Sequence, residues 1–539
     1  MKKDEILVEN LRLAVGEPEE ALLKVITNRL GIDTDVVKDL EIRRRALDAR
    51  KRHEIHWLFN VSLRIEDAAI RDRLLGKKLA RIPQWRPKDA ADLQILDGVP
   101  HGEKPLIHPP VIIGSGPGGL FAAWLLAREG YRPILLERGP EIRSRVRDVR
   151  VFDKGGEHHP ESNILHGEGG AGTFSDGKLT TRMRSPLVGL VHEILVAARA
   201  PANIQVDSKP HIGTDRLRAV IVYLRRELQR MGVVFRFGAK MTGLELDLNG
   251  GVRGVRLEGG EVIATSSVML AIGHSARDTY TALHEQGIGL EFKDFQMGLR
   301  IEHPQAMIDH ILFGSFAGRL PSAEYSINDK RSGVFSFCMC PGGSIVAGIS
   351  EAGHLCSNGM SRRSRDSGWA GSGLVFTIPA ELTPGGGRHP LAGIELQRKV
   401  EKRAFEIGGE TYALPAQRAQ DYVKGRISGG SLTSSYSRGL VSADLREVLP
   451  DRTATAIRHA LEIFDRRIPG YLSEGVLVGP ESRGSSPTRI PRDSTTRVST
   501  TTPGLYPVGE GAGYAGGIMS AAIDGLRSAA ALIQAAGPS

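Results

Sequence analysis

The sequence predicts an α/β protein: a Rossmann-like nucleotide-binding domain with an inserted α+β domain, preceded by a small ferredoxin-like α+β domain. Three observations predict it. Residues 111–139, VIIGSGPGGLFAAWLLAREGYRPILLERG, read as strand, glycine turn, helix, strand and acid in register. A second strand, acid, glycine turn and helix stands near the other end, in GLYPVGEGAGYAGGIMSAAIDGLRSAAALI. The first 105 residues alternate strand and helix patterns and end in a linker rich in Pro, Gly and charge, LDGVPHGEKPLIHPP. At 539 residues the chain is too long for one ordinary domain. The reading divides it into an N-terminal α+β domain (1–105), the first part of the nucleotide domain (106–285), a substrate or cap domain (286–480) and the returning part of the nucleotide domain (481–539).

Taken in order, ILVENLRLAV reads as a strand and EPEEALLKVITNRLG as a helix stopped by Gly31. VVKDLEIRRRALDARKR and EIHWLFNVSLRI read as two strands around a basic turn, and EDAAIRDRLLGKKL as a second helix. That order is of the split βαβ kind. TDRLRAVIVYLRRELQRMG is an amphipathic helix, followed by a run of short strands to Gly273. The stretch GMSRRSRDSGWAGSGLVFTIPAELTPGGGRHP reads as loop-rich, and DRTATAIRHALEIFDRRIPG as a helix with a Pro-Gly stop.

Composition narrows the function classes. The net charge of +9 is modest for the length; it suits an anionic ligand and makes nucleic acid an unlikely partner. Three cysteines without a C-x-x-C pair fit a reducing cytoplasm. The N-terminus carries acids within its apolar run, so it is no signal peptide, and no apolar run is long enough to span a membrane. The histidines His158, His159 and His166 show no metal spacing, so no metal is expected. Oligomeric state is not legible.

In the first motif Gly114 permits the sharp turn, Gly116 lets backbone approach a pyrophosphate, and Gly119 lets helix and strand pack closely. Ser115, Pro117 and Gly118 complete the turn and open the helix, whose N-terminus offers free N–H groups to phosphate. Glu137 ends the next strand where an acid binds a ribose hydroxyl, with Arg138 beside it. This stretch alone leaves FAD and NAD(P) open. The C-terminal segment resembles the second FAD fingerprint of two-dinucleotide-domain flavoproteins: Gly509 and Glu510 follow the strand, and Gly516, Gly517 and Ile518 start a helix whose positive end suits a reduced flavin. Ala271 and Gly273 resemble the segment that returns the chain to the FAD domain, and Met241 is placed with them. The three pieces point to FAD. No second GxGxxG stands in a strand–turn–helix context, so NAD(P)H is expected only as a transient electron donor.

NILHGEGGAGTFSDGKLTTR carries the resemblance further, together with HIGTDRL, GHSARDTY, RIEHPQAMID, FSFCMCPGG, SEAGHLCSNGMS and GEGAGYAGGIMSAAIDG. The chain resembles, over nearly its whole length, a bacterial family of FAD-dependent dehydrogenases of unassigned substrate. The resemblance implies an FAD domain like those of glutathione reductase and p-hydroxybenzoate hydroxylase, plus a substrate domain. At Ser482 and Gly484 the chain departs from the family's Glu-Thr-Arg-Thr-Ser-Ser-Pro.

Gly170, Gly172, Thr173 and Lys178 are expected to contact the cofactor, the glycines by freeing backbone N–H groups. The catalytic residues are not identified; candidates are His274 as acid or base, Arg300 as a carboxylate binder, Cys338 and Cys340 as thiols on one strand face, and Arg483 near the flavin edge. The chemistry expected is that of an FAD-dependent oxidoreductase moving a hydride between a small organic substrate and flavin. Alternatives are an NAD(P)H-dependent flavin reductase or monooxygenase, and an FAD-containing RNA- or protein-binding module using the basic run Arg43–Arg52.

Overall fold

The structure, a computed structural model, describes residues 4–82 and 90–539. The part of the N-terminal reading that falls on residues 1–3 lies outside them. The chain opens with β1 (Glu5–Ala14), α1 (Leu22–Leu30), β2 (Asp39–Asp48), β3 (His56–Arg64) and α2 (Ala68–Gly76). The strands form an antiparallel sheet in the order β1-β3-β2. Alternation puts Ile6 and Val8 of β1 and Phe59, Val61 and Leu63 of β3 into one core with Leu22 and Ile26 of α1. Arg81 forms an antiparallel bridge to Leu7 through two backbone hydrogen bonds of 2.7 and 2.9 Å, the place a fourth ferredoxin-like strand would take.

The basic run is not all turn. Arg43, Arg44 and Arg45 lie inside β2, where alternate side chains reach different partners. Arg43 pairs with Glu5 and Glu41. Arg45 pairs with Glu19 and with Asp207 of the next domain.

After α3 (Ala90–Asp97) come β4 (Val111–Ile113), α4 (Pro117–Arg128), β5 (Ile134–Glu137), α5 (Ile142–Asp153), α6 (Leu187–Ala197), α7 (Thr214–Arg230) and β6 (Val234–Phe237). An antiparallel trio, β7 (Met241–Leu246), β8 (Val252–Leu257) and β9 (Val262–Ala264), leads to β10 (Val268–Leu270) and α8 (Arg277–Glu285).

The inserted region holds β11 (Glu291–Phe292), β12 (Phe295–Pro304), α9 (Gln305–Phe313), β13 (Asn328–Asp329), β14 (Val334–Cys340), β15 (Gly343–Ala347), β16 (Ser357–Ser361) and β17 (Trp369–Ile378). It continues through α10 (Ala392–Ile407), β18 (Leu414–Arg418), α11 (Ala419–Lys424), β19 (Leu440–Ser442), α12 (Asp451–Arg467), β20 (Val476–Glu481) and β21 (Thr488–Arg489). Seven of these strands make one sheet in the order β13-β14-β17-β12-β20-β18-β19. Ile457, Leu461 and Phe464 of α12 share the core built around it. The stretch read as loop-rich contains β17, an interior strand of this sheet. Buried over most of its length, it shows no alternation, and Gly371 and Gly373 leave room for Glu302, Arg300 and Phe337 beside it.

The chain then returns through β22 (Leu505–Pro507) to α13 (Ile518–Ala535). β22, β10, β4, β5 and β6 form one parallel sheet in that order. The mostly apolar strands are covered by α4, α7 and α13, as a parallel sheet requires. Among the described residues no helix is long and apolar enough to cross a membrane.

Candidate cofactor and substrate site

A cavity of about 800 Å³ opens where the parallel strands end and the seven-stranded sheet approaches. The first fingerprint forms one wall. Gly114 has φ +101°, and a Cβ there would lie 2.4 Å from the Ala271 carbonyl oxygen. A Cβ on Gly119 would come within 1.9 Å of the Gly114 carbonyl oxygen, so α4 can sit this close to its strand only with glycine. Gly116 has open space where its Cβ would be, and Pro117 occupies the first turn of α4. Gly114, Ser115, Gly116, Pro117 and Gly118 line the cavity, while Gly119 packs behind it.

Glu137 accepts hydrogen bonds from Ser115 N (3.0 Å), Ser115 Oγ (2.6 Å) and Gly139 N (2.9 Å) and also lines the cavity. Arg138 lines it too, held by Glu161 (2.5 Å) and Asp278 (2.7 Å). Gly170 abuts the first turn: its Cβ would lie 3.1 Å from Gly116 Cα. Gly172 and Lys178 face the cavity, and Lys178 Nζ donates to the Met339 carbonyl. Thr173 is buried behind the loop, its hydroxyl donating to Glu168 O at 3.2 Å and its carbonyl accepting from Thr214 Oγ1 at 2.8 Å.

Met241, Ala271, Gly273, Gly509, Glu510, Gly516, Gly517 and Ile518 supply the remaining walls. Gly509 N donates to Asp524 at 2.7 Å, which fixes the turn before the acid. Open space surrounds the Cβ positions of Gly516 and Gly517, at the N-terminus of α13. Among the described residues no hydrogen bond or ion pair engages the Glu510 carboxyl, and burial pushes it up to about 7. The open glycine cradle, two helix N-termini and an acid without a partner fit a dinucleotide whose phosphates and hydroxyls complete these bonds.

Arg145 of α5 holds the glycine loop and was not singled out in the sequence. Fully buried, it donates to the carbonyls of Asn163 (2.8 Å), Glu168 (2.7 Å) and Gly170 (2.9 Å). Burial draws its guanidinium down to about 9. Asp176 and Glu324, which line the cavity with Arg365 and Lys209, were also missed; Arg365–Asp176 (2.7 Å) and Lys209–Glu324 (2.5 Å) are ion pairs. Only tertiary folding brings these partners together, so no local spacing announces them.

His274 and Arg483 both line the cavity and belong to one chain of bonds. Arg483 is clamped by Glu401 (2.8 and 2.9 Å), and its Nη1 donates to Ser275 Oγ at 2.8 Å. Ser275 Oγ lies 2.8 Å from His274 Nδ1. Arginine only donates, so the serine accepts from Arg483 and keeps its own proton and a second lone pair for the bond with Nδ1. Burial, with Arg483 and Arg277 nearby, pushes the imidazole down to about 3, so it is neutral. Arg277 of α8 reaches the same Glu401 at 2.9 Å. Burial opposes the charge of Glu401, yet the two guanidiniums hold its carboxyl far below the ordinary range.

Arg300 and Cys340 do not line the cavity; Cys338 does. Arg300 is fully buried and paired with Glu481 at 2.9 Å. The two cysteines do not share a face as regular alternation predicts. A bulge interrupts β14 between Phe337 and Cys340, and Cys338 adopts φ +43°. Among the described residues no group of three or more His, Cys, Asp or Glu could hold a metal ion.

Fold and cavity together define a Rossmann-like flavoprotein. A family model described as FAD-dependent protein, C-terminal domain-like, matches residues 294–484. An NAD(P)-binding Rossmann-like domain matches 112–171, and a domain of unknown function matches 5–66. An uncharacterized protein of Clostridium beijerinckii is 38% identical over 540 residues, covering 98% of each chain. The chain belongs to one family with that relative, and its residues 294–484 match the C-terminal domain of FAD-dependent proteins. Among solved structures, L-amino acid deaminase from Proteus myxofaciens is 12% identical, with TM-score 0.35, covering 80% of this chain and 94% of that one. L-proline dehydrogenase from P. horikoshii is 13% identical, with TM-score 0.32, covering 79% and 93%.

Proposed function

We propose that the protein is a dehydrogenase that moves a hydride between a small organic substrate and its flavin. One observation carries this reading. The cavity that the two fingerprints line continues without a break to Ser336, Phe337 and Cys338 of the inserted sheet and Asn358 of β16, so a substrate there shares the cofactor's space. When bound, FAD supplies the two-electron acceptor.

The chain's own residues do the rest. Gly114, Ser115, Gly116, Pro117, Gly118, Gly170 and the α4 N-terminus receive the pyrophosphate, and Gly119 lets α4 come close enough to do so. Glu137 and Glu510 accept from cofactor hydroxyls. Gly516, Gly517 and Ile518 direct the positive end of α13 toward the ring system. Lys178, Lys209 and Arg365 outweigh Asp176 and Glu324 on the substrate side by one charge, which favours an anionic substrate. His274 presents a neutral imidazole to the cavity.

The test is an anaerobic titration of the yellow protein with NADPH and then NADH, followed by candidate carboxylate substrates, watching the visible flavin band. A band that persists under both nicotinamides and bleaches with an organic substrate is the expected result. Rapid bleaching by either nicotinamide replaces this reading with reductase or monooxygenase chemistry. Failure to bind FAD overturns it entirely.

A further inference from the structure

Cys338 sits where a cysteine is costly to keep. A left-handed φ at a residue other than glycine costs on the order of 1–3 kcal/mol and persists only when its surroundings impose it. Here the bulge in β14 imposes it, turning Cys338 to the cavity while Cys340 stays buried behind. Cys340 Sγ lies 3.4 Å from the Cys338 carbonyl oxygen. Beneath the pair is Arg300, fully buried, with Nη1 3.5 Å from the same carbonyl and Nη2 without a hydrogen-bond partner among the described residues. Lys178, whose Nζ holds the intervening Met339 carbonyl, lines the cavity beside them. Two cations thus hold the carbonyls of Cys338 and Met339 at the bulge, and Arg300, though paired with Glu481, has an N–H left unspent in the interior.

We propose that Cys338 is a thiolate site directed at the bound flavin, with Arg300 and Lys178 as its countercharges and Cys340 as the buried thiol that holds its backbone carbonyl. The inference rests on the FAD reading and deepens it. The interaction is charge transfer from the sulfur lone pair into the oxidised ring system; no bond forms or breaks, and the electron count of each partner is unchanged.

The electrostatics agree. The hydrogen bond from Cys340, aided by Lys178 and Arg300, draws the Cys338 thiol down to about 6 against burial and the opposing charge of Asp176. Cys340 is pushed well up and keeps its proton. Glu481 and Glu510 also face Cys338, and burial pushes them up to about 6 and about 7, which reduces their negative charge near neutral pH. The third cysteine, Cys356, is buried and pushed up to about 12, so it serves as an internal control.

The experiment is iodoacetamide labelling of the full chain, mapped by mass spectrometry with and without saturating FAD, together with absorption spectra of the FAD-loaded protein. Without FAD, Cys338 is expected to react roughly two- to three-fold faster at pH 7 than an unperturbed thiol, with Cys356 unlabelled; FAD slows Cys338 about ten-fold. The FAD-loaded protein shows a long-wavelength shoulder beyond the flavin band. The shoulder is lost in Cys338→Ser and moves to higher pH in Cys340→Ser. Superimposable spectra for the wild type and a yellow Cys338→Ser variant overturn the proposal. So does FAD that leaves the labelling rate of wild-type Cys338 unchanged, a result that needs no variant to fold. In both cases the yellow colour leaves the FAD reading standing; a chain that binds no FAD overturns both.

Discussion

At the scale of single residues, the cavity keeps groups in states that water would not allow. Glu510 is held up to about 7 by burial, against about 4.3 for an ordinary glutamate. Its folded pKa is raised, so its contribution to stability is fully present below the ordinary value and is lost as pH rises through about 7. The FAD-free protein should therefore lose stability between about pH 4.5 and pH 7 through this group. Glu510→Gln should flatten that part of the Tm-against-pH curve and leave the share due to Glu481. An unchanged slope would mean that Glu510 is already ionised in the folded chain. His274 tests the other side of the cavity. Ser275→Ala removes the hydroxyl bonded to Nδ1, and the ¹⁵N shifts of His274 should move from a single tautomer toward a mixture, with the Tm lowered because buried Arg483 Nη1 loses its acceptor. Retention of the single tautomer would show that something other than Ser275 orients the ring.

At the scale of elements, the two helices that open onto the cofactor cavity are locked together backbone to backbone. A Cβ on Gly525 of α13 would lie 2.1 Å from the Gly118 carbonyl oxygen of α4. Gly525→Ala must push the helices apart and move both N-termini; a loss of about 1–3 kcal/mol is expected, with FAD affinity reduced about ten-fold or more. Gly76→Ala, with open space at its Cβ, is the control and should be nearly neutral. Thermal melts and flavin-fluorescence titrations read both. Elements of this kind were legible in the sequence where their signals are local: strand, turn, helix and acid at 111–139, and the periodic helices α7 and α12. β17 was not legible, because an interior strand with glycines at close contacts has neither alternation nor bulk. The Cys338 bulge was not legible either, since alternation is the only rule a sequence offers for a strand. Among site residues, the glycines of both fingerprints could be named from local spacing. Arg145 and Glu401 could not: Arg145 takes carbonyls from a loop 18 to 25 residues away, and Glu401 takes guanidiniums 82 and 124 residues away.

At the scale of the whole molecule, the parallel sheet is assembled from both ends of the chain, and the seven-stranded sheet is folded between them. β22 adds to β10 only after the insertion has returned, so the cavity exists only when both sheets are in place. The joint between them is ionic and dry. Glu401 of α10, in the insertion, takes Arg277 of α8 from the nucleotide domain and Arg483, which follows β20 of the inserted sheet, and all three are nearly or fully inaccessible to water. A buried ion group adds little net stability while intact, but losing its anion leaves Arg483 without a carboxylate and Arg277 with Glu351 alone, at 2.7 Å. Glu401→Gln should therefore cost about 3–5 kcal/mol, far more than a surface substitution. The loss should fall on the coupling of the two sheets. In the wild type, flavin release and loss of far-UV circular dichroism should coincide in one urea transition. In Glu401→Gln the flavin should leave at lower urea than the ellipticity is lost, because the joint opens before either sheet unfolds. Coincident transitions at a lower midpoint would instead show that the joint is only one part of a single cooperative core.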